Sequence, residues 1–261
     1  MIEDRFTRMA RRGDSPPASR PFNFALWLGL PAGAMTALLF IDPTSADFAL
    51  ARALYLPGQG FVGRQSVFLE AVLHRGVRDA MTAFMLAVLA GFIASLVRRD
   101  LAAWRRRLAY VLVAVGLSTG IVAPLKAATA VQCPWSLADF GGQESYSPLV
   151  GHRPATNNPG RCWPGGHAST GFSLLALYFA LRDGHPHRAR WMLGGALLLG
   201  TVLSAVRMAQ GAHFLSHNVW TLLLDWTICA AAYRWMLYEP GRLVTPVRQP
   251  VARSGSADCR S

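Results

Sequence analysis

Residues 206–220 read Val-Arg-Met-Ala-Gln-Gly-Ala-His-Phe-Leu-Ser-His-Asn-Val-Trp and set Arg207, His213 and His217 between two apolar runs. A guanidinium can hold an anion, and an imidazole can move protons or attack as a nucleophile. His213 and His217 lie four apart, so they share one face if the second run begins as a helix, and Gly211 permits a turn just before them. A polar loop with a snorkelling Arg would give the same local pattern. The elements that carry these residues must therefore decide between the two readings.

Those elements are apolar runs long enough for a bilayer. Hydrophobic residues make up 52% of the chain, and runs at 22–41, 80–97, 108–125, 167–181, 191–206 and 217–237 read as spans. The fold class expected is an all-α integral membrane protein, a bundle of six transmembrane helices with an outward-facing active site at the membrane rim. The runs at 167–181 and 191–206 are short for a hydrocarbon core of about 30 Å. A membrane domain at 22–238 is flanked by an Arg-rich tail at 1–21 and a second tail at 239–261. The first run exceeds the apolar core of a cleavable signal, and Ala32, Gly33 and Ala34 fall inside it, so it reads as an uncleaved span.

A net charge of +12 raises the question of nucleic acid, but the Arg residues are distributed by loop and form no patch with interleaved aromatics, so no nucleic-acid partner is expected. The two tails, residues 98–107 with five Arg and residues 182–190 with three alternate with Arg-poor loops. The positive-inside rule then puts both termini in the cytoplasm and residues 42–79, 126–166 and 207–216 outside. In the first outer loop Phe68, Leu69, Val72 and Leu73 have the spacing of a helix lying on the membrane surface, with Glu70 and His74 solvated.

Two further stretches carry chemistry. Lys126 closes the third run and is the only Lys among 26 basic residues; a compact ammonium serves where a planar guanidinium does not fit. Pro164-Gly165-Gly166-His167 precedes the fourth run, where glycines let backbone N–H groups approach a ligand and a helix start attracts anions. Span topology puts Lys126, His167, Arg207 and His213 on the outer side together, which points to phosphoryl chemistry without a metal.

The order and spacing resemble the type 2 phosphatidic acid phosphatase superfamily, whose signature is Lys-x6-Arg-Pro, then Pro-Ser-Gly-His, then Ser-Arg-x5-His-x3-Asp. Lys126 with Cys133-Pro134, the segment Pro164–His167, and Val206-Arg207 with His213 and His217 are similar to its three parts. The resemblance implies a phosphohistidine mechanism with His213 as nucleophile and His167 as acid and then base. Lys126, Arg207 and the N–H groups of Gly165 and Gly166 would hold the phosphate oxygens. It also implies no metal and no cofactor, a membrane lipid phosphate or diphosphate as partner, and a periplasmic site on a bacterial inner membrane, with hydrolysis and phosphotransfer both open. The chain departs from the signature at Cys133 (for Arg), Gly165 (for Ser), Val206 (for Ser) and His217 (for Asp). Arg161 or Arg153 could supply the missing cation. His217 is expected to accept a bond from Nδ1–H of His213, which would make activity fall below about pH 6 to 7 as His217 protonates. Cys133 and Cys162, on the outer side, are expected to form a disulfide that closes a loop of about 30 residues, with Cys229 and Cys259 unpaired.

Three other readings fit parts of the pattern. The spacing of His213 and His217 suits zinc, but Phe214 stands where a zinc protease needs Glu. A transporter could use Asp225, which is about 18 Å along a helix from His213 and so outside the rim cluster. A lipid-headgroup binder without catalysis would keep the cations alone.

Overall fold

The computed structural model describes residues 19–64, 66, 76–151, 153 and 155–240. The tails at 1–18 and 241–261, the expected surface helix around Phe68, Leu69, Val72 and Leu73, and Cys259 lie outside the described residues. In order come α1 (Phe24–Phe40), α2 (Thr44–Ala53), a hairpin of β1 (Tyr55–Leu56) and β2 (Gly60–Phe61), then α3 (Val77–Val97), α4 (Arg105–Gly120) and α5 (Val122–Thr129). After a long loop follow α6 (Gly166–Phe172), α7 (Leu175–Leu181), α8 (Pro186–Ala209) and α9 (Leu215–Met236). The hairpin pairs Tyr55 with Phe61 and Leu56 with Gly60 in antiparallel register.

Among the described residues three stretches are long and apolar enough to cross a bilayer: Val77–Val97, Arg99–Ser136 and Pro186–Ala209. The pair α1 and α2, bent by 86°, makes a fourth if counted as one span. The other two expected spans are short of that standard for different reasons. Residues 167–181 form two seven-residue helices, α6 and α7. In α9 the residues His217, Asn218, Thr221 and Asp225 lower the apolar content, yet all four are buried against the rest of the bundle.

The core explains this arrangement. Tyr110 and Val115 of α4, Phe172 of α6, Leu175 and Phe179 of α7, and Cys229 and Tyr233 of α9 form one buried cluster. The α6–α7 pair sits among the other helices, and it meets α8 at glycines: a methyl on Gly171 would lie 2.5 Å from the Cα of Gly200. Small residues allow helices in a bilayer to gain dispersion energy at such close range.

Several boundaries depart from the expected ones. α8 starts at Pro186, five residues before the expected 191, because Pro suits the first helical position and Arg188 and Arg190 are carried on its opening turns. α5 runs on to Thr129, so Lys126 lies within its last turn. α2 and the hairpin occupy part of what reads as outer loop; the Phe48, Ala51 and Phe61 side chains that they bury give no long periodic run.

The described chain ends meet at one end of the bundle. The N–H of Ser19 donates to the carbonyl of Glu239 at 3.2 Å, and Arg106 pairs with Glu239. Arg182 donates to the carbonyl of Pro21 at 3.2 Å, and Tyr233 donates its hydroxyl to Asp183 at 2.7 Å. At the opposite end α5 finishes, α6 begins, and α8 turns into α9.

That turn depends on Gly211, which has φ of 73° and whose added methyl would lie 2.3 Å from the ring of Phe61. Left-handed backbone costs a non-glycine residue about 1–2 kcal/mol, and the hairpin would also be displaced. Gly211→Ala should therefore lower the midpoint of thermal unfolding in detergent by roughly 2–8 °C. A midpoint equal to wild type would show that the turn does not need a glycine.

Candidate active site

Four segments bring their polar groups to this end. Lys126, on α5, reaches the start of α6, where a methyl added at Gly166 would sit 3.8 Å from its Nζ. His167 follows directly, half-buried in the first turn of α6. Arg207, in the last turn of α8, donates to Oε1 of Gln210 at 2.7 Å and lies 5.6 Å over the ring of Trp135. Trp135 in turn donates its backbone N–H to the carbonyl of Gly211 at 2.9 Å, which ties the loop after α5 to the α8–α9 turn.

His213 lies in that turn, outside the spanning helices, and is only 4% exposed. Its Nδ1 is 2.7 Å from the carbonyl oxygen of Cys162. A carbonyl can only accept, so Nδ1 carries the proton and Nε2 keeps the lone pair. Burial pushes His213 well below its ordinary pKa, and Lys126, the neighbouring His217 ring and Arg207 push in the same direction; the bond to Cys162 opposes them. The carbonyl is well anchored: Cys162 is disulfide-bonded to Cys133, and its N–H donates to the carbonyl of Val131 at 3.1 Å. The buried Cys229 is a free thiol.

Some expected roles change. His217 does not accept from His213, because the Cys162 carbonyl already holds Nδ1; the two rings are 6.1 Å apart, and Nδ1 of His217 is buried without a hydrogen-bond partner among the described residues. His217 instead lines a cavity of about 320 Å³ with Leu38, Leu149, Trp163 and Trp220. The N–H of Gly165 is not available to a phosphate oxygen, since it donates to Oγ1 of Thr221 at 2.8 Å. Arg153 does not replace the missing cation: its guanidinium donates to the carbonyls of Thr129, Pro148 and Leu149. Arg161 is exposed beside Cys162. Asp225 accepts from the hydroxyl of Ser169 at 3.2 Å inside the bundle, away from the rim.

Asp47, Gln210 and Trp135 also stand at this end, and no spacing or motif in the sequence singles them out. Asp47 on α2 is 2% exposed and accepts from the N–H of Ser216 at 2.8 Å. Its one sequence signal is an acid among the apolar neighbours Ala46, Phe48 and Ala49.

With this geometry in view, residues 107–240 match the PAP2 superfamily. The chain belongs to that superfamily. The matched stretch contains Lys126, His167, Arg207 and His213, while α1, α2, the hairpin and α3 precede it. Superfamily members are phosphatases, which supports activity on phosphate esters. No curated protein and no solved structure gives a significant match.

The altered hydrogen bond changes the expected pH behaviour. A carbonyl does not titrate, and a depressed pKa means that His213 gains a proton only below the ordinary imidazole range near pH 6.5. A histidine-selective NMR titration should find His213 neutral with Nδ1–H still present at pH 6, both in wild type and in His217→Leu. A midpoint at or above 6.5, or loss of the Nδ1–H tautomer in His217→Leu, would return the orienting role to His217.

Proposed function

We propose that the chain is an integral membrane phosphatase that releases phosphate from a lipid phosphate or diphosphate through a phosphohistidine intermediate, on the outer face of a bacterial inner membrane. The observation that carries this reading is the Nδ1–H bond of a buried, neutral His213 to Cys162, which leaves Nε2 as the nucleophile. Nε2 attacks phosphorus in line, and the bond to the leaving oxygen breaks as His167 protonates it. The Cys162 carbonyl stabilises the charge that develops on the His213 ring as the N–P bond forms. Lys126 and Arg207 hold the non-bridging oxygens, where charge stabilisation supplies most of the catalysis, and exposed Arg161 is the remaining candidate cation. His167 then takes a proton from water, which displaces His213 and frees inorganic phosphate. An alcohol in place of water would make the same site a phosphotransferase.

Two features support a lipid substrate. The cluster lies at the end of the bundle where α1 finishes, and the cavity beside His217 has apolar walls from Leu38, Leu149, Trp163 and Trp220. In this reading α6–α7 and α9 complete six spans, the membrane domain is residues 22–238, and both tails are cytoplasmic. The basic end formed by Arg20, Arg106 and Arg182 supports that orientation.

The direct test is phosphate release in detergent from phosphatidate, phosphatidylglycerol phosphate, undecaprenyl diphosphate and lipid A. His213→Ala should reduce the rate to background, and His167→Ala should reduce it by about 10²- to 10⁴-fold. EDTA should leave the wild-type rate unchanged; inactivation by EDTA with recovery on adding zinc would count against a side-chain nucleophile. Tags at either terminus or within residues 98–107 should be reached only from the cytoplasm, and cleavage of residues 98–107 by protease outside intact cells would invert the topology.

A further inference from the structure

We propose that Asp47 is a positioning residue of this site, holding the segment that carries His213 and His217 from a helix outside the family match. A helix start leaves its first N–H groups without intrahelical partners. The N-cap of α9 is Phe214, which supplies no side-chain acceptor. The acceptor comes instead from α2, 169 residues earlier: Oδ1 of Asp47 takes the N–H of Ser216 at 2.8 Å, and Oδ2 takes its hydroxyl at 2.5 Å. A carboxylate there also complements the positive end of the helix dipole. Two oxygens gripping two donors of one residue fix the first turn of α9 in rotation as well as in height.

The gripped residue stands directly before His217 and three after His213. Neighbouring contacts act on the same short segment. The ring of Phe48, next to Asp47, stacks on Phe214 at a centroid distance of 5.4 Å. Past the hairpin, Gly63 donates to the carbonyl of Ala209 at 2.8 Å, on the far side of the turn. The region around α2 therefore holds both ends of the turn that presents His213, and Asp47 is its polar contact with α9. The family signature has its acid at the position occupied here by His217; in this chain the carboxylate on the same helical turn arrives from Asp47.

The kinetic part of the test rests on the phosphatase reading, and the modification part does not. Asp47→Ala should lower kcat for phosphate release about 10- to 100-fold with little change in KM, because small misplacement of a reacting group carries a cost of that order. Asp47→Asn, which keeps an acceptor for the Ser216 N–H, should restore most of it. Carbethoxylation of His213 by diethyl pyrocarbonate, followed by mass spectrometry, should be faster in Asp47→Ala than in wild type and return towards wild type in Asp47→Asn. If Asp47→Ala does not fold, Asp47→Asn and Ser216→Ala are compared with wild type in the same two measurements, and a fall in kcat with faster modification in Ser216→Ala supports the assignment. Unchanged kcat together with an unchanged modification rate overturns it, as does a rise in KM at constant kcat. Should wild type release no phosphate from any ester, the phosphatase reading fails, and the modification rate alone decides the role of Asp47.

Discussion

The arrangement at the end of the bundle that carries Lys126, His167, Arg207 and His213 depends on one hydrogen bond, from Nδ1 of His213 to the carbonyl of Cys162. It selects the tautomer, fixes the plane of the ring, and does so with an acceptor that neither titrates nor rotates. For a backbone carbonyl to serve this way the loop bearing it must be held from both sides. The Cys133–Cys162 disulfide and the bond from Cys162 N–H to Val131 supply that hold. Cys133 stands where the family pattern has a cation, so the chain has a covalent tether at a position that would otherwise contact the anion.

The helices below answer to the same requirement. Lys126, His167 and Arg207 sit on α5, α6 and α8, and their separation is set by how closely these helices approach. The contact of Gly171 with Gly200 brings α6 against α8 without intervening side chains. The buried bond of Gly165 to Thr221 fixes α6 against α9. A glycine that reads as a phosphate cradle thus acts in packing, because a buried N–H must find a partner and Thr221 is within reach.

What was legible in the sequence follows from this division. Lys126, His167, Arg207 and His213 could be found because polar residues at the ends of apolar runs stand out and topology places them on one side. The apolar runs themselves marked α1, α3, α4 and α8 within a few residues. The acceptor for His213 was not legible, since every residue has a carbonyl and only folding says which one arrives. Asp47 was hidden for a related reason: its partner is 169 residues away, and a lone acid in a short helix looks like surface. His217 misled because its spacing from His213 allows a contact that the Cys162 carbonyl already makes.

The burial of His217, Asn218, Thr221 and Asp225 along α9 also bears on how the protein is made. A carboxylate near the centre of an isolated transmembrane helix costs about 3 kcal/mol on insertion scales, and the other polar groups add to that. α9 is thus a poor candidate to enter a bilayer alone. Part of its polar face is matched by groups that precede it in the chain, the Ser169 hydroxyl for Oδ1 of Asp225 and the Gly165 N–H for Thr221, while Nδ1 of His217, Oδ1 of Asn218 and Oδ2 of Asp225 have no hydrogen-bond partner among the described residues. Among the described helices α9 comes last in the chain, after the partners that its polar groups need, so chain order and bundle assembly run in the same direction, and the histidines at its start reach their places only when those helices exist to receive them.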